Sequence, residues 1–365
     1  MISLAAPDIG EPEFESVEDV IKEGRLVAGE EVEQFEASFA EYVGAEHGVA
    51  TVNGTAALHT ALEALGIGEG DSVVTTPFSF IATANAIRFA NAEPVFADID
   101  PETLNLDPDS AEAAVREHDA DAILVVHLYG QPARMERFRE IADAHDLALI
   151  EDAAQAHGAT IDGEHVGTIG DAGCFSFYPT KNMTTGEGGI VVTDDEAVAR
   201  RADQFINHGR TGSYTHATLG HNYRMTNIAG AIGLTQLQKL PYYVDQRRRN
   251  AQRLLEELDG DRLELPEPRP GTEHAYHQFT VQYPQRNALK LDLEERDIGT
   301  GVYYPTTIHR QGAYAGEEAT TPVAERATDQ VLSLPVHPGL TDEDITTIVE
   351  AVERHLTRAW EAIGE

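Results

Sequence analysis

The chain has 365 residues, with 26 Lys+Arg against 63 Asp+Glu and a formal charge of −37. A hydrophobic share of 41% with 31 Gly and 17 Pro is ordinary for a globular protein and excludes collagen-like, low-complexity and wholly disordered chains. The acid surplus repels phosphates and anionic headgroups, which excludes nucleic acid and membrane as main partners. No apolar run approaches the ~18 residues of a membrane helix. The opening Met1-Ile2-Ser3-Leu4-Ala5-Ala6-Pro7 lacks the basic, then apolar, pattern of a secretory leader. A single cysteine, Cys174, forms no internal disulfide, so a cytoplasmic location is expected. The acids are dispersed, and the only lysines are Lys22, Lys181, Lys239 and Lys290. Such a surface suits concentrated salt, where screening relieves self-repulsion, and a halophilic protein is expected.

The length suits a large α/β unit with a smaller companion. Two helices are expected first, about Glu13–Lys22 and Glu30–Tyr42, the second with Val32, Phe35, Phe39 and Tyr42 at helical steps. From about 45 to 205, β-rich runs alternate with helical ones, the pattern of a mostly parallel sheet flanked by helices. The predicted strands are Gly48–Val52, Ser72–Thr75, Pro94–Ala97, Ala122–Val126, Leu147–Ile150, Gly173–Phe177 and Gly189–Thr193. The predicted helices between them are Ala56–Leu65, Ala82–Ala90, Ser110–Glu117 and Met135–His145. Leu234–Leu240 is expected to stop at Pro241, with a charged helix following to Leu258. Beyond it lie strand-like His277–Tyr283 and Gly301–Tyr304 and a helix over Asp342–Trp360, capped by Thr341 and Asp344. The expected division is a large domain over 1–240 and a smaller α+β domain over 241–365.

Three local features point to chemistry. Leu149-Ile150-Glu151-Asp152 is an apolar strand that delivers an acid to its C-terminal end, where open α/β sheets keep their ligand crevice. Asn53-Gly54-Thr55-Ala56 turns from a strand into a helix, and free N–H groups at a helix start suit a phosphate. Phe175-Ser176-Phe177-Tyr178-Pro179-Thr180-Lys181 places a lysine in a loop dense with Thr and Gly. Lysine, strand-end aspartate and helix-start cradle are the contacts that pyridoxal phosphate (PLP) needs: an amine for its aldehyde, an anion for its ring nitrogen, a site for its phosphate. Gly66-Ile67-Gly68-Glu69-Gly70-Asp71 lies between a helix and a strand and reads as a turn, not a dinucleotide motif. No HExxH spacing or Cys/His cluster suggests a metal, and none is expected.

With these blocks in place, the sequence resembles the DegT-type (DegT/DnrJ/StrS) nucleotide-sugar aminotransferases. The likeness runs through Gly29-Glu30-Glu31-Val32, Asn53-Gly54-Thr55-Ala56-Ala57-Leu58, Thr76-Pro77-Phe78-Ser79-Phe80 and His127-Leu128-Tyr129-Gly130. It continues in the Asp152 and Lys181 blocks, Asn207-His208-Gly209, Asn222-Tyr223-Arg224-Met225 and Leu334-Pro335-Val336-His337. The resemblance implies a fold-type I PLP-dependent transferase with a mixed, mostly parallel sheet and a smaller α+β C-terminal domain. It implies that Lys181 forms the Schiff base and moves the proton, that Asp152 pairs with the pyridine nitrogen and that Gln155 lies against the ring hydroxyl. Thr55, Ala56 and Ser176 are expected at the phosphate, Phe80 on the ring, and Asn222 at the phosphate of a neighbouring subunit in a homodimer. Tyr178, Arg210, Arg224, Tyr304 and His309 are substrate candidates.

The implied reaction moves an amino group from an amino acid, glutamate foremost, to a nucleotide-linked keto-sugar, with pyridoxamine phosphate formed between the two halves. Thr184-Thr185-Gly186-Glu187-Gly188-Gly189 leans toward amination at carbon four. A keto-sugar dehydratase, a keto-cyclitol aminotransferase and a non-enzymatic regulatory protein remain as alternatives.

Overall fold

Runs such as Ala122–Val126 are apolar at every position because both faces of their sheet are covered, as parallel sheets require. The computed structural model describes residues 1–364, with side chains to residue 361. It opens with α1 (Glu11–Glu23) and α2 (Glu30–Val43), then β1 (His47–Thr51), α3 (Gly54–Leu65), β2 (Ser72–Thr75), α4 (Ala82–Phe89) and β3 (Glu93–Phe96). The series continues with α5 (Pro108–His118), β4 (Ala122–Val126), α6 (Met135–His145) and β5 (Ala148–Asp152). A short hairpin, β6 (Thr160–Ile161) and β7 (Glu164–His165), precedes β8 (Ala172–Ser176), β9 (Gly189–Thr193) and α7 (Glu196–Ile206). The long α8 (Asn227–Glu257) leads to β10 (Thr272–Glu273), β11 (Phe279–Gln282), α9 (Arg286–Glu294), α10 (Pro322–Gln330), β12 (Val331–Leu334) and α11 (Asp342–Gly364).

Seven strands form the main sheet in the order β1-β9-β8-β5-β4-β2-β3. Only β9 runs antiparallel to its neighbours, so the sheet is mixed but mostly parallel. Alternation along β4 sends Leu124 and Val126 to the face covered by α3 and α4, and Ile123 and Val125 to the face covered by α5 and α6. Next to the second face, Phe35 and Phe39 of α2 pack on Phe175 and Phe177, with ring centroids 5.0 Å apart for Phe39–Phe175. The C-terminal part has its own core around Leu254, Phe279, Leu289, Leu334, Ile348 and Val352. Residue Ile2 pairs with Ile298, so the first residues of the chain join that part.

Two expectations differ from the structure. No break occurs at Pro241, because α8 runs through it for 31 residues. The ring removes one hydrogen bond, but Leu237, Leu240, Tyr243 and Val244 around it are buried, and that packing offsets the roughly 3 kcal/mol a mid-helix proline costs. Gly301–Tyr304 forms no strand and contributes only an isolated bridge from Gly301 to Ser333. No helix among the described residues is long and apolar enough to cross a membrane.

Candidate active site

The parallel strands point their C-terminal ends toward one crevice. β5 ends at Asp152, beside β8, whose register pairs Asp152 with Cys174 and puts Ser176 two residues further out. Because strand side chains alternate, the two acids that end β5 face opposite ways. Glu151 faces inward as a fully buried carboxylate. It accepts from His127 Nε2 at 2.8 Å and from the N–H groups of Gly167, Ile169 and Gly170 at 2.8, 2.7 and 2.6 Å. Asp152 faces the crevice. Its Oδ2 accepts from Thr83 Oγ1 at 2.8 Å and its Oδ1 from the Ala154 N–H at 3.2 Å. Burial pushes its pKa up, while Thr83, Ala154 and the charge of Lys181 pull the other way.

Lys181 is held in place by its neighbours. The Lys181 N–H donates to the Tyr178 carbonyl at 2.9 Å, and Asn182 Nδ2 donates to the carbonyls of Ala275 and His157 at 3.1 and 3.3 Å. Met183 is buried, and Thr184 Oγ1 donates to the Phe177 carbonyl at 2.8 Å. The loop is thus fixed on both sides of the lysine. Burial lowers the Lys181 pKa from 10.5 to about 8, against the pull of the Asp152 carboxylate. An amine in this range is part neutral near neutral pH, the state in which it attacks an aldehyde or takes a proton.

The third element is the start of α3. Asn53 caps it, its side chain accepting the Ala56 N–H at 2.9 Å. A Cβ on Gly54 would lie 2.7 Å from Ser176 Cβ and 3.1 Å from Ser176 Oγ, so the absence of a side chain lets the helix start meet the end of β8. Ser176 and the first turn of α3 therefore share one small cradle. Gln155 is oriented at both ends: its Oε1 accepts the Tyr129 N–H at 2.7 Å and its Nε2 donates to the Tyr304 hydroxyl at 3.1 Å. Phe80 stands in the same mouth, 57% exposed, with its ring 6.3 Å from that of Tyr304.

The crevice thus brings together Lys181, Asp152, Gln155, Phe80 and Tyr304, with Thr55, Ala56 and Ser176 at the cradle. Tyr178 is half-exposed on the lysine loop. Arg224 pairs by backbone with Thr51 just before the cradle, and its guanidinium holds Asn207 Oδ1. Asn222 and Arg210 lie on the exposed 207–222 excursion, Asn222 bridged to Asn207 and Arg210 Nε bonded to the Gly212 carbonyl. His309 does not join the group. It is buried against Phe96, with Nε2 3.4 Å from Thr307 Oγ1 and 3.5 Å from Glu325.

Sequence reasoning missed Thr83, Glu151 and His127. The adjacent acids of Glu151-Asp152 were the available signal, since only one of two neighbours in a strand can face a ligand. The residues fit PLP. A buried carboxylate held only by a hydroxyl and an N–H is suited to a ring cation, and the side-chain-free Gly54 leaves the helix start open for a phosphate.

Residues 7–353 match the model of the DegT/DnrJ/EryC1/StrS aminotransferase family. A "Pleiotropic regulatory protein" of Geobacillus stearothermophilus is 43% identical over 343 residues, 92% of each chain. A "UDP-N-acetyl-3-dehydro-alpha-D-glucosamine 3-aminotranferase" of Acidithiobacillus ferrooxidans is 41% identical over 339 residues, again 92% of each. The solved structure of S. venezuelae DesV in complex with a ketimine intermediate superposes with a TM-score of 0.91 at 38% identity, covering 94% of both chains. With the α/β fold and a lysine and an aspartate meeting in one crevice, these matches settle the assignment: the chain belongs to the DegT/DnrJ/EryC1/StrS aminotransferase family.

Proposed function

We propose that this aminotransferase moves an amino group from an amino acid, glutamate foremost, to the keto group of a nucleotide-linked sugar. The observation that carries the reading is the Lys181 amine, lowered to about 8 and sharing a buried crevice with the Asp152 carboxylate. PLP, when bound, supplies an aldehyde carbon for the amino group and a ring that accepts electrons. Asp152 would hold a proton at the ring nitrogen. Gln155 would donate to the ring hydroxyl, Phe80 would cover the ring, and Thr55, Ala56 and Ser176 would hold the phosphate. Lys181 Nζ takes the α-proton of the donor and releases it later in each half of the transfer. Amination at carbon three is favoured over the carbon-four lean of the Thr184–Gly189 run, because the 41% identical relative is named as a 3-aminotransferase. A purely regulatory role, raised by the name of the 43% identical relative, leaves the Lys181–Asp152 arrangement without use.

A homodimer completes this reading. Tyr214 and Leu219 are 96% and 93% exposed on the excursion that carries Asn222, and Leu26, Val27 and Val52 are further exposed apolar residues. A second copy covers such a surface, and Asn222 then reaches the neighbouring cradle. The dispersed acids and the buried, unpaired Cys174 fit a salt-rich, reducing cytoplasm.

The test is to mix purified protein with PLP and look for a visible band that borohydride removes and that Lys181→Ala lacks. A panel of nucleotide-linked 3-keto and 4-keto sugars with glutamate then reads product mass and proton coupling. The absence of any band in the wild type defeats the aminotransferase reading, and loss of water from the sugar defeats it in favour of a dehydratase.

A further inference from the structure

The Asp152 carboxylate is not alone in the crevice wall. Thr83, in the first turn of α4, donates its hydroxyl to Asp152 Oδ2 at 2.8 Å, and Ser79 Oγ lies 3.0 Å from Thr83 Oγ1. Both hydroxyls are buried, with 1% exposure for Thr83 and 4% for Ser79, so neither has bulk water as a competing partner. An ionised carboxylate only accepts. The single Thr83 proton is therefore committed to Asp152, and Thr83 Oγ1 is left to accept the proton of Ser79. The chain of donors runs one way, from Ser79 through Thr83 to Asp152. Protonation of Asp152 removes the charge that both donors face, and a proton on Oδ2 opposes the Thr83 hydroxyl directly.

We propose that Thr83, itself oriented by Ser79, is a positioning residue that keeps Asp152 ionised and fixes its rotamer toward the cofactor ring. The proposal rests on the PLP reading above. Other groups act on the same carboxylate: Lys181 from the β8–β9 loop, His127 after β4, Cys174 on β8 and Tyr304 from the C-terminal part. None of these donates a hydrogen bond to Asp152; Thr83 and the Ala154 N–H do. Hydrogen bonds to charged acceptors are about twice as strong as neutral ones, so the Thr83 hydroxyl is the side-chain donor that favours the ionised form of Asp152.

The experiment compares the full-length wild type with Thr83→Val, which keeps the shape and removes the hydroxyl, Thr83→Ser, which keeps the hydroxyl, and Ser79→Ala. Two quantities are read: the PLP dissociation constant and the pH midpoint of the visible band of the loaded protein. Thr83→Val is expected to bind PLP about tenfold more weakly, the value of one hydrogen bond to a charged group. Its midpoint is expected to move upward, because a ring nitrogen held less firmly in its protonated form withdraws less from the proton at Lys181 Nζ. Thr83→Ser restores both within about twofold, and Ser79→Ala shifts both in the same direction by less. A Thr83→Val protein with wild-type affinity and midpoint overturns the proposal, as does a Thr83→Ser protein that behaves like Thr83→Val. If Thr83→Val does not fold, an unshifted Ser79→Ala midpoint overturns it. A wild type with no band at all defeats the PLP reading itself, a result distinct from any difference among the variants.

Discussion

Gln155 and Tyr304 join the two parts of the chain at the crevice. Gln155 follows β5, Tyr304 lies near residue 300, and the Gln155 Nε2 donates to the Tyr304 hydroxyl at 3.1 Å. Beside them the Tyr129 hydroxyl donates to the Tyr303 carbonyl, and the Tyr129 N–H fixes Gln155 Oε1. The amide has its oxygen and nitrogen ends assigned by different partners, so it presents a donor in a fixed direction.

Removing one of those partners gives the first prediction. Tyr304→Phe frees Gln155 Nε2 and costs about 1 kcal/mol of orientation, equivalent to about fivefold weaker PLP binding. Gln155→Leu is expected to weaken PLP binding more, because it removes the amide donor itself, and it lowers fold stability besides by leaving the buried Tyr129 N–H without its acceptor. Titration of the unloaded variants with PLP measures both, and equal, wild-type affinities contradict the link.

The Lys181 amine sets a pH dependence. Only the neutral amine captures an aldehyde, so the capture rate rises with pH around a midpoint of about 8, where an ordinary lysine gives 10.5. Asp152 raises the lysine pKa, so Asp152→Asn is expected to move the midpoint below that of the wild type. The growth of the visible band after mixing unloaded protein with PLP gives the rate at each pH. A midpoint that stays at the wild-type value in Asp152→Asn means the two groups do not sense each other.

Sequence pattern made the sheet legible wherever burial on both faces leaves an apolar run, as at Ala122–Val126 and Gly189–Thr193. Asp152 stood out in the sequence because an apolar strand ends in it, whereas Lys181 drew notice only through the company of that acid and the α3 start; the structure brings Lys181 and Asp152 into one crevice. The nine-residue α9 and α10 were missed because charges interrupt their few apolar positions, whereas α7 offered Val198, Ala202, Phe205 and Ile206 at helical steps behind an Asp195 cap, a signal that could have found it. Pro241 was misread because local preference for a helix stop lost to packing on α1 and α2. His309 has the right chemistry in the sequence, yet the chain buries it against Phe96. Thr83 is 69 residues from Asp152 along the chain, and no local pattern reveals such a pair.

The acid beside Asp152 holds the wall of the crevice. His127 Nδ1 accepts the Ala133 N–H at 3.0 Å, so Nε2 must donate, and Glu151 accepts from it and from three backbone N–H groups. Burial alone raises the Glu151 pKa, but these donors outweigh it and hold the carboxyl below 4.5. A folded-state pKa below the unfolded one gives stability that is present above about pH 4.5 and lost as pH falls through the folded value. Glu151→Ala strands four donors and is expected to cost about 3–5 kcal/mol. Glu151→Gln is expected to be nearly as harmful, because its NH2 group meets either the His127 and Gly167 donors or those of Ile169 and Gly170. Urea unfolding at pH 7 and pH 4 reads both effects, and the wild-type advantage over Glu151→Gln is expected to shrink at the lower pH.

Salt dependence follows from the charge of −37. Glu36 shows how acids crowd one another: burial first, then the charges of Asp203 and Glu33, raise its pKa to about 7. At about 1 M salt the screening length is near 3 Å, and repulsion between surface acids is largely removed while buried contacts such as Glu151–His127 are not. The melting temperature and the rate of sugar amination are therefore expected to rise together from dilute buffer to about 1 M KCl. Replacing surface acids outside the crevice, such as Glu15, Glu18 and Asp19 on α1, with their amides is expected to flatten the rise while leaving the Lys181 capture midpoint unchanged. A melting temperature that falls with added KCl excludes adaptation to salt as the reason for the acidic surface, and leaves the crevice chemistry untouched.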